Sequence, residues 1–237
     1  MKLFFTLLGL FAVLAIQAQK TIINDPNAEA RPVSPFSAIR ISGGIDLYIS
    51  QADREALAVS AAETEYRSRI KTVVENGVLK ISYEDAGKPW KSGNKKLKAY
   101  VAFATLKKLD ASGASDVFVD GTIKGDELSI NLSGASDFKG AVQVNKLDLD
   151  QRGASDATIS GRVANLEVNA SGASDLKGFD LSTDVCNAKA HGASDVKITV
   201  EKQLQVEASG ASSIQYKGNA VITSTKTNGA SSVNKKG

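Results

Sequence analysis

Five aspartates recur at one position of a repeated Gly-Ala-Ser-Asp motif: Asp116, Asp137, Asp156, Asp175 and Asp195. If each repeat forms one coil of a stacked structure, neighbouring carboxylates would lie roughly 5 Å apart. Three roles suit such a row. An aspartate beside a tight turn can accept hydrogen bonds from backbone amides. A ladder of oxygens can hold Ca²⁺ between coils, and surface acids can catalyse the cleavage of polysaccharides.

The regularity of the row favours the structural role. Lys139, Lys177 and Lys197 each follow a motif aspartate by two residues, so in a strand they project to the same side and partly neutralise it. The spacing differs from that of nonapeptide calcium repeats, and no repeat offers a second fixed carboxylate. A catalytic site is a single irregular constellation, whereas this column is uniform. The calcium ladder and a polysaccharide lyase or hydrolase therefore stay as alternatives.

The motif belongs to a tandem repeat of seven copies, the last two reading Gly-Ala-Ser-Ser. Apolar residues recur six and four positions before each glycine, and again four and six positions after it. Leu147, Leu149, Ala157 and Ile159 show this pattern around Gly153. Alternation with period two predicts a strand, a tight turn, a second strand and a variable connection in each unit. Because one unit cannot bury its own apolar face, the units should stack into an all-β solenoid with roughly 19-residue coils.

Glycine begins each predicted turn because it tolerates left-handed backbone conformations. The invariant alanine after it suggests a position where stacked coils leave room for a single methyl group. The turn glycines, including a degenerate copy in the first coil, are Gly43, Gly113, Gly134, Gly153, Gly172, Gly192, Gly210 and Gly229.

The single cysteine and the single histidine do not suggest a metal or catalytic site. Cys186 occupies the leucine column, which predicts a buried and inert thiol. His191 replaces a serine just before a turn glycine, in a column that should face solvent. With no second histidine and no accessible cysteine to join it, neither a zinc site nor a catalytic triad is expected. We expect no cofactor and no enzymatic activity.

The first residues have the pattern of an export signal. Lys2 precedes an apolar run that is too short to span a bilayer comfortably, which predicts a signal peptide over residues 1–18. Residues 19–35 should be a flexible segment. Residues 36–237 should form a single solenoid domain, with irregular strands and a cap over 36–110 and tandem coils over 111–237. We expect an exported protein, periplasmic or at the cell surface, without a transmembrane segment in the mature chain.

The region before the tandem array contains further strand patterns. Residues 39–49 align with the repeat without gaps and predict a degenerate first coil. Strands are predicted at 57–61, 70–75, 78–83 and 97–104, with a tight hairpin at Asn76-Gly77. Residues 63–69 should form a short helical or irregular turn, and 85–94 an exposed loop. The formal net charge of +3 comes from scattered basic residues, so a nucleic-acid partner is not expected.

Two features carry a family resemblance: the segment Ser42-Gly43-Gly44-Ile45-Asp46-Leu47-Tyr48-Ile49 and the serial Ser-Gly-Ala-Ser-Asp motifs from Ser112 onward. The sequence resembles the auto-transporter adhesin, head GIN domain family of Bacteroidetes over roughly residues 36–233. The Gly-Ile-Asn of that family is Gly44-Ile45-Asp46 here. The resemblance implies an exported protein with a right-handed parallel β-helix. It implies no chemistry and brings no catalytic residues.

Our first hypothesis is an exported, non-enzymatic, adhesin-like binding or scaffold module. Its polar columns would face a repeated ligand such as a glycan or another cell-envelope component. The alternatives are a carbohydrate-active enzyme on a β-helix and a calcium-binding structural repeat protein. Because fold does not determine function, the regularity of the surface is the sole basis for preferring the first.

Overall fold

The computed structural model describes residues 25–84 and 95–237; the predicted signal peptide and the predicted loop at 85–94 lie outside these ranges. Within them, sixteen strands form one sheet, and a five-residue helix lies beside it. The elements are β1 (Glu29–Arg31), β2 (Ala38–Ile41), β3 (Asp46–Gln51), β4 (Ala56–Ser60), α1 (Thr64–Ser68), β5 (Ile70–Glu75), β6 (Val78–Tyr83), β7 (Lys98–Phe103), β8 (Lys108–Ala111), β9 (Val117–Leu132), β10 (Asp137–Gln151), β11 (Asp156–Ala170), β12 (Asp175–Ala190), β13 (Asp195–Ala208), β14 (Ser213–Lys217), β15 (Val221–Thr227) and β16 (Ser232–Lys235).

The tandem repeats stack as parallel coils of about 19 residues, giving a β-solenoid of about seven turns. Each residue pairs with its equivalent one repeat further on, as Asp137 pairs with Asp156 and Leu147 with Leu166. The predicted solenoid is therefore confirmed. No helix in the described ranges has the length and apolarity needed to cross a membrane.

The connections between repeats are more regular than the sequence suggested. Each strand from β9 to β13 continues through the connection for 14 to 16 residues, from just after one turn to just before the next. Most of the register shifts between coils lie in this stretch, for example between Thr158 and Gly161 and between Gly178 and Ser182. Bulges there accommodate repeats of unequal length while the turns stay aligned.

The early coils are stacked in an order different from their order in the chain. Strands β2 and β3 form the coil around Gly43, and they lie between two others. On one side they pair in parallel with β8 and β9, and on the other with β6 and β7. The degenerate repeat is therefore a coil in register with the array, although more than 50 residues separate the paired strands β2 and β8.

Local predictions in this region are confirmed. Strands β4, β5, β6 and β7 lie within one residue of their predicted limits at each end, and α1 falls in the predicted helical turn. Asn76 and Gly77 join β5 and β6 with φ of 51° and 74°, as a tight antiparallel hairpin requires. The segment predicted as flexible contains a strand, since β1 pairs antiparallel with β4.

The two ends of the solenoid differ. At one end the antiparallel strands β1, β4 and β5 close the stack. At the other end β15 pairs only with β13, and β16 pairs only with β14. The second end therefore finishes in two parallel strands, each of which has a partner on one side.

The core consists of inward columns that run along the solenoid. One column holds Leu128, Leu147, Leu166, Cys186 and Leu204, all at most 3% exposed. The prediction that Cys186 is buried is confirmed. Burial raises the pKa of its thiol, which keeps the group protonated and unreactive.

The structure contradicts the prediction that alanine is the confined side chain of the turn. The motif alanines are exposed, whereas the serines that follow them are buried from Ser115 to Ser212 and partly buried at Ser231. In five copies the serine hydroxyl donates a hydrogen bond to the carbonyl three residues earlier, as from Ser174 Oγ to Ser171 O at 2.8 Å and from Ser212 Oγ to Ser209 O at 2.9 Å. The interpretation of alanine as the confined residue was wrong. Counting in steps of two from Leu149 reaches Ser155, so the alternation of the strand continues through the turn and places serine inward.

Candidate functional site

The side of the solenoid that follows the turns carries a continuous row of carboxylates. The structure places all five predicted aspartates in this row, and the registers of β3 and β9 add Asp46 next to Asp116. In the stack of coils, Lys98 lies next to Asp46 at one end of the row, and Ser213 lies next to Asp195 at the other end. We call this side the aspartate face; its first column is Asp46, Asp116, Asp137, Asp156, Asp175 and Asp195.

A second column lies beside the aspartates on the same face, and it changes character along the solenoid. Tyr100, Tyr48 and Phe118 occupy it at one end. Their rings stack, with centroids 5.3 Å and 5.1 Å apart and planes inclined by 22° and 20°. The rings face one another along the solenoid, so they form a stiff apolar strip whose edges point outward. Towards the other end the column continues as Lys139, Thr158, Lys177 and Lys197.

The lysine half of the column partly neutralises the aspartates, as the sequence predicts. Lys177 Nζ lies 3.8 Å from Asp156 Oδ2. In the aromatic half, no lysine stands two residues after Asp46 or Asp116, because Tyr48 and Phe118 occupy those positions. The charge of Asp116 is therefore less compensated than that of Asp46, which has Lys98 beside it, or that of Asp156, which has Lys177.

Groups with shifted pKa values collect in this aromatic half. Partial burial raises the pKa of Asp116, and the charges of Asp137 and Asp46 raise it further. Burial also raises the pKa of Asp46, against the opposing effect of Lys98. The pKa of the Tyr48 hydroxyl rises through burial and through the two nearest aspartates. Such clustering is typical of functional sites, although ion networks also produce it.

Asp25 anchors the start of the described chain to the aromatic strip. Tyr100 Oη donates a hydrogen bond to Asp25 Oδ2 at 2.8 Å. Burial alone would raise the pKa of Asp25, but hydrogen bonds from Tyr100, the Asn27 amide and Ser60 together lower it. The pKa of Tyr100 is raised by burial and by this carboxylate. Asp25 is therefore a fixed negative charge at the edge of the face.

The side that precedes the turns is also polar, but its charges are paired. Arg40 lies 3.2 Å from Asp110, and Arg152 lies 2.7 Å from Asp150. Asn131 Nδ2 donates to Asp110 at 2.7 Å. Here oppositely charged and amide side chains satisfy one another across coils, which leaves less charge for a ligand than the aspartate face offers.

The remaining predicted residues do not assemble into a recognised centre. His191 is half-buried rather than fully solvent-facing, and its Nδ1 lies 2.7 Å from Ser209 Oγ. Among residues 25–84 and 95–237, no three histidine, cysteine, aspartate or glutamate side chains are grouped so as to hold a metal ion. The calcium ladder stays a prediction.

Sequence reasoning missed the aromatic strip. Tyr48 and Phe118 occupy one repeat position, five residues after the turn glycine, so aligning the first coil with the array could have paired them. Tyr100 carries no such signal. It joins them only because β7 stacks on β3, and no turn motif marks that coil.

Comparison with known proteins identifies the family of this chain. The family model described as "Putative auto-transporter adhesin, head GIN domain" matches residues 35–220. The chain belongs to this family. No match was found among curated proteins.

Solved structures of similar fold come from Bacteroides and Parabacteroides species. A protein described as a putative adhesin from Bacteroides fragilis is 20% identical, with a TM-score of 0.79 over 88% of this chain and 96% of that one. A putative lipid binding protein from Parabacteroides distasonis is 20% identical, with a TM-score of 0.66 over 90% and 98%. A putative adhesin from the same species is 19% identical, with a TM-score of 0.67 over 88% and 96%. At these identities the likeness concerns the fold alone.

Proposed function

We propose that this chain is an exported, non-enzymatic binding module of the adhesin type, which holds an extended ligand on the aspartate face. The observation that carries the proposal is the joining of a carboxylate row to a stacked aromatic strip on one regular side of the solenoid. Because the row repeats with every coil, it suits a ligand whose own groups repeat at short intervals. A glycan or another polymer of the cell envelope has this character.

The chemistry of the face fits a hydroxylated polymer. Carboxylates accept strong hydrogen bonds from hydroxyl groups, and no lysine follows Asp116 by two residues to compete for its carboxylate. The edges of Tyr48 and Phe118 offer apolar contact next to these acceptors. Binding of this kind needs no enclosed cavity, because many weak contacts along the row add up.

Export is supported by the predicted signal peptide and by the family to which the chain belongs. The non-enzymatic character is supported by the uniformity of the row, since six stacked coils contribute one aspartate each at the same position. A polysaccharide lyase or hydrolase would need an irregular group of acids and bases at one point.

The test is a glycan array, together with a pull-down of envelope polymers by the purified protein. The double change Asp116→Asn and Asp137→Asn should weaken binding at least tenfold, because it removes two of the acceptor carboxylates. Asp150→Asn is the matched control, since it removes a carboxylate that Arg152 already pairs on the other side.

Two results would contradict the proposal. The first is an equal loss of binding in the Asp150→Asn control. The second is turnover of a polysaccharide, seen as released reducing ends or unsaturated products, that Asp175→Asn abolishes. The second result would support the carbohydrate-active enzyme instead.

A further inference from the structure

The side of the solenoid that precedes the turns contains a cleft of about 400 Å³, a volume typical of ligand-binding pockets. We call it the arginine cleft; the residues that line it include Arg40, Lys108, Asp110, Ser112, Ser133 and Arg152. Consecutive coils carry Arg40, Asp110, Asn131 and Asp150 at one position of the stack. Arg152 follows Asp150 by two residues, so the two arginines lie three coil spacings apart, roughly 14 Å along the solenoid.

The two arginines are departures from the repeat. Serine is the commonest residue just before a turn glycine, as at Ser112 and Ser133, and Arg152 replaces it in the next coil. The short serines leave a depression that the long side chain of Arg152 bounds at one end. Arg40 bounds it at the other end, in a position where the next coil has Asp110. The cleft therefore depends on these particular residues and not on the repeat itself.

The cations of the cleft stand at its rim, and the acids lie deeper. The side chains of Arg40, Lys108 and Arg152 are 56%, 48% and 71% exposed. Those of Asp110 and Asp150 are only 21% and 28% exposed. Three cations against two acids leave an excess of positive charge, and that charge faces the solvent. A surface of this kind attracts negatively charged ligands.

The ion pairs hold the cations in place without using all of their donors. Arg40 Nε and Nη2 donate to Asp110 Oδ2 at 3.3 Å and 3.2 Å, and Lys108 Nζ lies 3.4 Å from Asp110 Oδ1. Asp150 holds Arg152 in the same way, through Nε at 2.7 Å and Nη2 at 3.1 Å. A guanidinium group has five N–H donors, so each arginine keeps further donors for an anionic group. Because the arginines are already oriented, binding costs less side-chain entropy.

The floor between the arginines offers hydrogen-bond acceptors. Ser112 Oγ donates to the carbonyl of Ile41 at 3.3 Å, and Ser133 Oγ donates to the carbonyl of Ala111 at 3.5 Å. Since these bonds use the hydroxyl protons, the two serine oxygens can accept hydrogen bonds from the hydroxyl groups of a ligand. Cations at two ends with acceptors between them suit an extended ligand that has both anionic groups and hydroxyls.

We propose that the arginine cleft binds a short stretch of acidic polysaccharide. Carboxylate or sulfate groups of the ligand contact Arg40 and Arg152, and sugar hydroxyls contact Ser112 and Ser133. Planar guanidinium groups bind such oxyanions through paired hydrogen bonds. This site lies on a different side of the solenoid from the aspartate face and uses different residues. Either proposal can therefore fail while the other holds.

The first experiment tests the need for negative charge by isothermal titration calorimetry with short sugars. Trigalacturonate supplies carboxylates, and its methyl ester has the same backbone without charge; sulfated maltotriose and maltotriose form the corresponding pair for sulfate. We expect at least one charged trimer to bind about tenfold more tightly than its uncharged counterpart, and more weakly as salt is added. The charged trimer that binds identifies the anionic group.

Two results of this titration would overturn the proposal. The first is equal binding of the charged and uncharged trimers in both pairs. The second is inorganic sulfate or phosphate that binds as tightly as the charged trimer, because the cleft would then hold a simple anion and make no use of the sugar.

The second experiment tests the location of the site. The double change Lys108→Gln and Arg152→Gln should weaken binding of the charged trimer about tenfold, because it removes the cations of the rim. Lys146→Gln with Arg162→Gln is the matched control: these side chains are 46% and 66% exposed and also pair with aspartates, but they do not line the cleft. The control should bind like the wild type, and circular dichroism should show that both variants are folded. Asp150→Asn should not weaken this binding, because it removes a negative charge. An equal loss in the two double variants would place the ligand elsewhere and overturn the proposal.

Discussion

Gly153 lies directly against Gly134 of the preceding coil. A Cβ atom on Gly153 would stand 2.6 Å from the carbonyl oxygen of Gly134. The same oxygen accepts a hydrogen bond from the Ala154 amide at 2.8 Å. The coils are therefore drawn together at the turn by a backbone hydrogen bond, which leaves no space for a side chain. Gly113 has nearly the same φ, +80° against +82°, yet a Cβ there would meet nothing nearer than 3.6 Å.

This difference separates two requirements for glycine. Gly113→Ala should lower the free energy of unfolding by about 1 kcal/mol, which is the cost of a left-handed alanine. Gly153→Ala should lower it by about 3 kcal/mol, because a steric clash with the Gly134 carbonyl is added. Denaturant titration followed by circular dichroism measures both values. Equal losses in the two variants would show that the close approach is unimportant.

The buried serine of the turn gives a second prediction. Ser174→Ala should destabilise the protein by about 1 kcal/mol, because it removes the hydrogen bond to the Ser171 carbonyl. Ser174→Leu should cost more, since the side chain is 0% exposed. Ala173→Leu should stay within about 0.5 kcal/mol of the wild type, because Ala173 is exposed. Thermal melts of the three variants test this ordering, and a large loss for Ala173→Leu would contradict it.

The error over alanine and serine shows what the repeat pattern could and could not predict. Alternation along a strand assigns Leu147 and Leu149 to the interior because each residue reverses the side of its neighbour. The same count carried through the turn reaches Ser155 and then Ala157, both of which are buried, so alternation alone would have placed serine inward. Invariance of alanine in sequence therefore did not imply confinement, and nothing in the structure explains why the exposed position is always alanine.

Gln151 is a buried polar residue in a column that is otherwise apolar. It takes the place of Leu132 in the preceding coil and of Ala170 in the next. Its Nε2 donates to the carbonyls of Ser155 at 3.1 Å and Asp175 at 3.0 Å. The amide thus ties its own coil to the turn that follows and to the coil after that.

Gln151→Glu should therefore destabilise the protein strongly at pH 7. The new carboxylate would face two carbonyl oxygens without a donor, at a cost of about 3 kcal/mol. Because burial raises the pKa of such a group, the loss should shrink as the pH falls towards the pKa of the unfolded chain, about 4.3 for glutamate. Denaturant titration at pH 7 and pH 4 tests this. Gln143→Glu, at an exposed position, is the control and should show no such pH dependence.

The raised pKa of Asp116 predicts that this carboxyl group also lowers stability at neutral pH. Above the ordinary value of 3.8, the folded state still holds a proton that the unfolded state has lost, so this group lowers stability as the pH rises through that window. Asp116→Asn should therefore raise the melting temperature at pH 7, and the gain should vanish below pH 3.8. Asp150→Asn, which breaks a surface ion pair, should bring no gain at either pH. Destabilisation by Asp116→Asn at pH 7 would contradict the prediction.

The calcium ladder can be tested on the same variants. If Ca²⁺ bridges neighbouring aspartates of the row, calcium should raise the melting temperature at pH 7, where the carboxylates are charged, and a chelator should reverse the rise. The effect should be smaller in Asp116→Asn, because one ligand is lost. A melting temperature that is indifferent to both calcium and chelator would contradict the ladder.

The candidate site could be predicted only in part, because one half of it follows from repeat spacing and the other half from long-range stacking of coils. The aspartate row follows from spacing, since equal intervals between Asp137 and Asp156 place them in register. The aromatic strip depends on Tyr100, whose strand is brought beside β3 by a coil with no motif and an unexpected place in the stack. Long-range stacking of that kind is determined by which apolar faces fit together, and a single sequence does not display it.

The equivalence of successive coils has a consequence at the level of the gene. Each coil contacts chiefly the one before and the one after it, and the turn glycines keep the same register from Gly113 to Gly229. An in-frame duplication or deletion of one repeat would then change the length of the solenoid while leaving its two end regions folded as before. Length could be adjusted during evolution by gain or loss of structurally equivalent units, without a new fold at any step.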